Sequence, residues 1–327
     1  MKLKTEENFY LLKNPDIINN SRLSLKARRR LAKQKSDNTI KAYNSDWNDF
    51  VRWCREHGEP ELPTTPETIV NYVNDLADEV KANTISRRIS AISENHIAAG
   101  YRRENPAKSS LVAMTINSIR REKGTFQKGK APILYETLFL FSDLFGEDII
   151  SLRDKAVILL GFAGAFRRSE LVAIDMRDLT FSLEGLKVFI PRAKGDQEGE
   201  GKEIAIPYAP VKKVCAATAV KEWIHAAGIK DGPLFRGFFK GNKMKTTPLS
   251  DRMVANLVKQ YAKRAGLNAE NFSGHSLRRG FATSAAQHNS SVFSIMQQTR
   301  HKTERMVHRY VDQGNMFNNN PLNDIWK

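Results

Sequence analysis

Cysteine is scarce in this sequence: Cys54 and Cys215 are the only two among 327 residues. They lie on separate predicted helices, so they form neither a disulfide framework nor a zinc knuckle, and we expect free thiols in a reducing compartment. No apolar run approaches the roughly 18–20 residues of a membrane-spanning helix. The first residues, MKLKTEENFYLLKNPD, contain no long apolar core and no small-residue cleavage site, so we expect no secretory signal. These absences favour a cytoplasmic location, associated with the nucleoid in a prokaryote.

Acidic residues are few relative to basic ones. Lys and Arg number 52 against 36 Asp and Glu, which gives a formal net charge of +16. An excess of this size indicates a polyanionic partner, most often nucleic acid. The alternative is a basic protein whose charge serves solubility alone.

Composition and hydrophobic spacing divide the chain into five segments. Residues 1–35 form an arm with ten Lys or Arg against three acidic residues, which either lies along DNA phosphates or is a solvated tail. Residues 36–121 predict a small all-α module, 122–132 a basic linker, and 133–312 a second, mostly helical domain. The polar, Asn-rich residues 313–327 are a tail that we expect to pack on a neighbouring subunit.

Apolar residues recur every three or four positions through most of both modules. The first module predicts four helices, and a Thr65-Pro66 pair begins the second of them. In the second module, Leu186–Ile190 and Glu203–Ile206 resemble short strands joined by a polar, Gly-rich turn, which predicts a β-hairpin. Helices are predicted there over 133–145, 151–166, 210–227, 250–265, 275–288, 290–299 and 302–312.

Four segments contain residues that suit the chemistry of an anionic phosphate. They are GAFRRSEL, PRAKGD, SGHSLRRG and RHKTERMVHRY, with the candidate residues Arg167, Glu170, Lys194, His275, Arg278, His301 and Tyr310. Each segment alone is a weak signal, because an Arg beside an acidic residue is usually a salt bridge and a late Tyr is usually core. In this order and spacing, the segments together resemble the tyrosine recombinases, or phage integrase family, of the Cre-like two-domain kind. The resemblance covers roughly residues 36–312.

Spacing within the segments carries this resemblance. The family's first catalytic Arg lies three residues before a Glu, which selects Arg167 over its neighbour Arg168. Lys194 follows 27 residues later in a predicted turn, close to the family's spacing. The family's second His lies nine residues before its Tyr, and so does His301. One position departs from the pattern: the residue before this His is often Gly in the family, and here it is Arg300.

The resemblance implies attack by the phenol of Tyr310 on a DNA phosphodiester. Attack adds negative charge to an anionic phosphate, and guanidiniums hold its non-bridging oxygens, the role implied for Arg167 and Arg278. A phenol with a pKa of about 10 is a weak nucleophile, so a neighbour must accept its proton, and His275 is the candidate base. Lys194, flexible on its hairpin, is the candidate general acid for the leaving 5′ oxygen.

His301 and Glu170 have supporting roles in this scheme. His301 hydrogen-bonds the phosphate or orients the nucleophile, and Glu170 holds the cluster together. The implied 3′-phosphotyrosyl bond preserves bond energy, so rejoining needs no ATP, and the sequence has no G-x-x-x-x-G-K-[ST] loop. We expect no cofactor and no metal, because His275, His301 and His308 share no carboxylate or Cys at ligand spacing.

Basic and amide residues on three predicted helices are candidates for DNA contact. Phosphate contacts supply most of the affinity, and helices in the major groove read the bases. The alternative is an ordinary solvated helix face. The candidates are Lys81, Arg87, Arg88, Arg120, Arg121, Arg252, Asn256, Lys259, Gln260 and Lys263.

The predicted fold is therefore mainly α, with a four- or five-helix core-binding domain at 36–121 and a helical catalytic domain at 133–312 that contains a small β insertion. The predicted function is site-specific DNA recombination, with four protomers on two sites of double-stranded DNA, a Holliday junction and no membrane. The need for accessory proteins and the role in a mobile element stay open. Two alternatives remain: a type IB topoisomerase, which the two-domain layout disfavours, and a non-catalytic DNA-binding regulator, which does not need Tyr310.

Overall fold

The computed structural model describes Ser24, Lys35 and residues 37–124, 129–191, 200–314 and 322–325. Most of the predicted basic arm, Lys194 and most of the C-terminal tail lie outside these residues. The chain divides into two compact units between Lys128 and Gly129, which we call the N-terminal unit and the C-terminal unit. The predicted domain boundaries, including the linker at 122–132, stay predictions.

Four α-helices and one short 3-10 helix form the described part of the N-terminal unit. They are α1 (Asp37–His57), α2 (Pro66–Glu79), α3 (Ala82–Ala98), the 3-10 helix Pro106–Lys108 and α4 (Ser110–Lys123). The cap expected for α2 is present, since Thr65 Oγ1 accepts a hydrogen bond from Thr68 N at 3.2 Å and Pro66 occupies the first turn. The four-helix prediction is confirmed, except that a 3-10 turn capped by Asn105 precedes α4.

Aromatic side chains hold these four helices together. Phe50 lies between Trp47 and Tyr72, with ring centroid distances of 5.6 and 5.0 Å. All three are almost fully buried, and burying a large apolar side chain contributes roughly 1.5–3 kcal/mol. His96 is also buried: its Nε2 accepts a hydrogen bond from Thr64 N at 3.1 Å, and burial lowers its pKa. This histidine therefore packs in the core.

The C-terminal unit is mostly helical and contains two small sheets. Its helices are α5 (Tyr135–Ser142), α6 (Ile149–Ala163), α7 (Arg168–Ala173), α8 (Ala216–Ala227), α9 (Asp251–Arg264), α10 (His275–Gln287), α11 (Val292–Thr299), α12 (Glu304–Gly314) and α13 (Leu322–Ile325). Its strands are β1 (Leu179–Phe181), β2 (Gly185–Ile190), β3 (Lys202–Pro207), β4 (Arg236–Phe238) and β5 (Met244–Pro248). The mainly α fold with a β insertion is confirmed. None of the helices described here is long and apolar enough to cross a membrane.

The predicted hairpin is part of a three-stranded antiparallel sheet in the order β1–β2–β3. Leu186 pairs with Ile206, and Val188 pairs with Ile204. All four side chains are buried, whereas the intervening Lys187 on β2 and Ala205 on β3 are exposed, as expected for a sheet with one face on the core. The connection from β2 to β3 contains Lys194.

Two packed helices position the candidate site. The consecutive residues 157–160 of α6 are all buried, and α10 packs against α6, α11 and α12. Gly280 on α10 permits a close approach, because a Cβ there would lie 1.7 Å from Ile133 O. Tyr261 on α9 is 1% exposed, so it packs in the core.

Candidate active site

A tight turn after α6 carries the first predicted site residues. Ala165 has a φ of 44°, a left-handed conformation that is uncommon for a residue with a side chain. Arg167 then caps α7: Glu170 Oε2 accepts a hydrogen bond from Arg167 N at 2.9 Å, and Oε1 accepts one from Arg167 Nη1 at 2.5 Å. Arg168 is 42% exposed and lies 3.9 Å from Asp251. The turn therefore brings Arg167, and not Arg168, to the carboxylate of Glu170.

Arg278, the fourth residue of α10, is 1% exposed. Its Nη1 donates to Ala165 O at 2.8 Å, whereas Nη2 has no partner among the described residues. Burial, followed by the charges of Arg167 and Arg300, lowers the pKa of Arg278 to about 9. A buried charged nitrogen without an acceptor costs free energy, so this N–H group suits an anionic ligand.

A third guanidinium, that of Arg300, reaches the same cluster from the end of α11. Its side chain is 5% exposed, and Nη2 donates to Glu170 Oε2 at 2.9 Å. Burial by itself raises the pKa of Glu170, but Arg300 and Arg167 outweigh burial and hold that pKa below its ordinary value. Sequence reasoning noted Arg300 only as a departure from the family's usual Gly. A cation at that position, next to a predicted catalytic His, marked the position as unusual but did not indicate its contacts.

His301 contacts the buried side chain of Thr299. The Thr299 hydroxyl donates to Ile295 O at 2.6 Å, and its oxygen lies 2.7 Å from His301 Nδ1. Because the one hydroxyl proton is used on Ile295 O, Nδ1 carries a proton and donates, which leaves Nε2 of the neutral ring as an acceptor. Burial, followed by nearby cations of which Arg278 contributes most, lowers the pKa of His301 to about 4. The ring is therefore neutral near pH 7.

The predicted nucleophile and the predicted base lie on α12 and α10. Tyr310 is half-buried, and its ring centroid is 5.7 Å from that of His301, with the planes tilted by 32°. His275 begins α10 and keeps an exposed side chain, although the protein packed around the ring removes enough water to lower its pKa. The charge of Arg278 lowers that pKa further.

Six of the predicted residues thus form one cluster around the turn after α6: Arg167, Glu170, His275, Arg278, His301 and Tyr310. The seventh, Lys194, lies outside the described residues. Among the described residues, no three His, Cys, Asp or Glu side chains come together as metal ligands.

The comparisons with known proteins identify the family of this chain. Residues 135–315 match the phage integrase family, and residues 29–99 match the N-terminal SAM-like domain of phage integrases. The chain belongs to the phage integrase family. The family resemblance read from the sequence is thereby confirmed.

Individual members of this family match almost the whole chain. The integrase/recombinase xerD homolog of Selenomonas ruminantium is 59% identical over 326 residues, which cover 99% of this chain and 96% of that protein. The recombinase Cre of Escherichia phage P1 is 24% identical over 300 residues, which cover 84% of each protein. In fold, the chain resembles the crystal structure of the XerH site-specific recombinase bound to a palindromic difH substrate, with a TM-score of 0.66 at 14% identity. That match covers 92% of this chain and 85% of XerH.

In this integrase-family chain, the predicted DNA-contact residues of α9 lie mostly on its exposed face. The opposite face contributes Val254, Leu257 and Val258 to the core. Lys259 is half-buried and forms an ion pair with Glu270 at 3.0 Å. The exposed candidates on α9 are Arg252, Asn256, Gln260 and Lys263.

The candidates of the N-terminal unit differ more in their surroundings. Arg87 is 51% exposed and donates two hydrogen bonds to Asp46, at 2.7 and 2.9 Å. Arg88 is 15% exposed and donates to Asp49 and to Tyr72 Oη, so its guanidinium stabilises the helix packing. Its contact with DNA stays a prediction. The remaining candidates, all exposed, are Lys81, Arg120 and Arg121.

Proposed function

We propose that this protein is a site-specific DNA recombinase that cleaves a strand through Tyr310 and forms a 3′-phosphotyrosyl intermediate. The observation that carries the proposal is the surplus of positive charge beside this tyrosine: three guanidiniums surround one buried carboxylate, that of Glu170. Such a field stabilises a phosphodiester and the additional negative charge of its pentacoordinate transition state. The membership of the phage integrase family supports the same reaction class.

The two predicted catalytic arginines bind different non-bridging oxygens of the phosphate. Arg278 is fixed by Ala165 O through Nη1 and offers its buried Nη2 to one non-bridging oxygen. Arg167 is fixed by Glu170 but remains 23% exposed, so its guanidinium is accessible to a second oxygen. Because both groups are anchored before substrate binds, little reorganisation is needed during the reaction.

Proton transfer accompanies the attack. Oη of Tyr310 forms a bond to phosphorus while its proton passes to a neutral imidazole, and the bond from phosphorus to the 5′ oxygen breaks. His301 is beside the phenol ring and has an acceptor at Nε2, whereas its Nδ1 proton is committed to Thr299. This arrangement favours orientation of the phenol over donation to the phosphate. His275, also neutral near pH 7, is the alternative acceptor, and Lys194 protonates the leaving oxygen.

The reverse reaction reseals the strand. A 5′ hydroxyl attacks the phosphotyrosine, and the proton returns along the same route, so one ester is exchanged for another without ATP or metal. We propose that attack by the hydroxyl of a second site gives strand exchange through a Holliday junction. In this scheme four protomers act on two sites, and the two units contact double-stranded DNA through their basic faces.

A covalent-trapping experiment tests the proposed chemistry. The full-length protein is mixed with a library of random-sequence duplexes that carry a nick, so that the short fragment 3′ of the cleavage point diffuses away. Complexes that survive SDS are recovered, and their DNA is sequenced. We expect a protease-sensitive adduct on the 3′ end and a free 5′ hydroxyl that accepts a phosphate from a kinase without prior phosphatase treatment.

Tyr310→Phe is the matched control, because it removes only the phenolic oxygen. Loss of the adduct with unchanged DNA affinity supports Tyr310 as the nucleophile. Specific binding by the wild-type protein without any adduct supports the DNA-binding regulator instead. If the protein forms the adduct and relaxes supercoiled DNA but never joins two sites, the result supports the type IB topoisomerase alternative.

A further inference from the structure

We propose that Arg300 is a positioning residue that fixes both catalytic arginines through the acceptors it shares with them. The inference rests on the proposed function, because Arg167 and Arg278 are the groups that hold the phosphate there. It assigns a role to a position that the sequence pattern marked only as unusual.

The backbone at Arg300 is the first observation. Arg300 has a φ of 57° and ends α11 in the left-handed region, where glycine is favoured because it has no Cβ. A non-glycine residue in this conformation persists where its surroundings over-determine it. The contacts of the side chain must therefore compensate for strain that glycine would avoid.

The hydrogen bonds of the guanidinium are the second observation. Nη1 donates to Gly164 O at 3.0 Å and to Gln298 O at 2.8 Å. Nη2 donates to Ala165 O at 3.0 Å and to Glu170 Oε2 at 2.9 Å. All four terminal N–H groups are thus used within the protein, and the side chain is 5% exposed. Nε is buried and has no partner among the described residues. Because every terminal N–H group of its fork is committed to a protein acceptor, we assign Arg300 a role that it exerts through its neighbours.

The identity of those acceptors is the third observation. Ala165 O accepts from both Arg300 Nη2 and Arg278 Nη1. Glu170 accepts from both Arg300 and Arg167. Arg300 is therefore joined to each catalytic arginine by one shared acceptor, and it holds the strained turn at Ala165 in place. Moving this one side chain displaces both phosphate-binding groups together.

Charge gives the same arrangement a second effect. Glu170 alone would offset the charge of Arg167, because the two groups are in direct contact. Arg300 neutralises that carboxylate from its other oxygen. The charge of Arg167 is consequently left to act on the substrate. A lysine would supply the charge but not the planar fork that reaches three carbonyls and a carboxylate at once.

Arg300→Gly is the decisive variant, because glycine suits the backbone and removes every side-chain contact. With the duplex recovered by covalent trapping, we expect adduct formation at saturating DNA to slow on the order of 10- to 100-fold, as small displacements of catalytic groups do. We expect the Kd for that duplex to change less than threefold. Arg300→Lys should restore part of the rate.

A double-mutant cycle distinguishes positioning from a general loss of stability. If Arg300 acts through Glu170, the rate defects of Arg300→Gly and Glu170→Gln are less than multiplicative in the double variant. Asn289→Gly is the matched control for the backbone, since Asn289 also has a left-handed φ, of 60°, and is exposed. Ile229→Val is the control for stability, since Ile229 is buried in the main core of the same unit. Neither control should slow cleavage.

A second measurement is independent of DNA. Orthovanadate is a tetrahedral oxyanion that accepts a fifth ligand, and its affinity measured by calorimetry reports on the phosphate site directly. We expect Arg300→Gly to lower the affinity for orthovanadate at least fivefold, whereas both control variants should bind it with wild-type affinity. If the wild-type protein forms no adduct on any duplex, the recombinase proposal fails, and the vanadate comparison still decides the role of Arg300.

Three outcomes overturn the inference. They are wild-type cleavage and vanadate binding by Arg300→Gly, defects that multiply fully with those of Glu170→Gln, and an equal slowing in Ile229→Val at the same loss of melting temperature.

Discussion

The two units use the same residue types in different charge balance. In the N-terminal unit, Arg87 and Arg88 face two carboxylates, those of Asp46 and Asp49, and a further cation on Asp49, Arg52, is 68% exposed to water. In the C-terminal unit, two guanidiniums contact the single carboxylate of Glu170, and a third, that of Arg278, lies in the same cluster without an ion pair among the described residues. Among the described residues, the first network leaves one buried guanidinium nitrogen without a partner, Arg88 Nε, and the second leaves two, Arg278 Nη2 and Arg300 Nε.

The comparison shows that hydrogen bonds alone do not reveal the function of an arginine network. A surplus of positive charge over the neighbouring carboxylates indicates a function in binding an anion. A balanced network holds helices together, and its removal is felt as lost stability. A surplus of buried positive charge is unfavourable in the isolated protein and becomes favourable when an anion binds. Burial first, and then the charges of Arg167 and Arg300, lower the pKa of Arg278 to about 9.

Removing the shared carboxylate of Glu170 should show the difference in stability between the two networks most clearly. Glu170→Gln leaves three buried cations without an anion, so we expect the free energy of unfolding to fall by about 3–5 kcal/mol. Asp46→Asn should cost only about 1 kcal/mol, because Arg87 is half-exposed and water replaces part of the interaction. Urea unfolding of both variants measures the difference. Equal losses would show that the two networks are energetically alike.

The next largest effect concerns the unpaired nitrogen of Arg278. Arg278→Lys keeps the charge but loses the second donor, so we expect adduct formation to slow by about 10²–10³-fold, as for loss of one oxyanion donor. Affinity for the same duplex should be nearly unchanged. Single-turnover cleavage and gel-shift titration separate the two quantities. A defect in binding of the same size would instead make Arg278 an affinity residue.

The pKa values of two histidines, one in each unit, distinguish the effect of burial from the effect of arginine charge. His96 has its pKa lowered by burial, whereas His301 is held to about 4 by burial together with arginine charge. We expect higher salt to raise the pKa of His301 by about a few tenths of a unit and to leave His96 unchanged, because mobile ions screen only the charge effect. Ring-proton NMR at low and high salt measures both. A parallel shift would mean that burial alone lowers the pKa of His301.

The lowered histidine pKa values also determine how the free energy of unfolding depends on pH in acid. As pH falls below 6.5, His301 and His275 become protonated in the unfolded chain but remain neutral in the folded protein, because folding lowers their pKa values. The free energy of unfolding is therefore unaffected above that pH and decreases as pH falls through 6.5 towards about 4. His301→Gln should flatten this decrease in unfolding curves recorded between pH 7 and pH 4. An unchanged slope in the variant would contradict the assignment.

The smallest expected effect tests whether both units contact DNA. Lys81 and Lys263 are exposed cations, one in each unit. Each substitution by Ala should reduce the slope of log affinity against log salt by about 0.9, the value for one phosphate contact. Arg177→Ala, which removes an 84% exposed cation that is not among the candidate DNA contacts, is the control. A change in one variant only would confine the DNA contact to that unit.

Regular spacing made most of the architecture predictable. The four helices of the N-terminal unit and the long helices of the C-terminal unit follow apolar periods of three to four residues, and the caps at their starts are local. The pattern missed α7, β1 and the β4–β5 hairpin, which have three to six residues each. Such short elements contain too few residues to show a period, and long-range packing selects them.

The candidate site was predictable only in part, for a different reason. Its residue types and their spacing identify the family, and Glu170 selects Arg167 because a helix cap is a local interaction. The role of Arg300 was invisible, because its acceptors at Gly164, Ala165 and Glu170 lie 130 or more residues away along the chain. Spacing along a sequence carries no information about such a contact.

The sequence by itself thus determined the family, the mainly α fold and the set of groups that can attack and hold a phosphodiester. These follow from local periodicity, from charge and from the chemistry of individual side chains. Only the tertiary structure decided which of those groups are neutral, which are anchored and how many cations share one carboxylate. The reason is physical: pKa values and buried ion pairs depend on distance and on the exclusion of water, and both are set by the packing of elements remote in sequence.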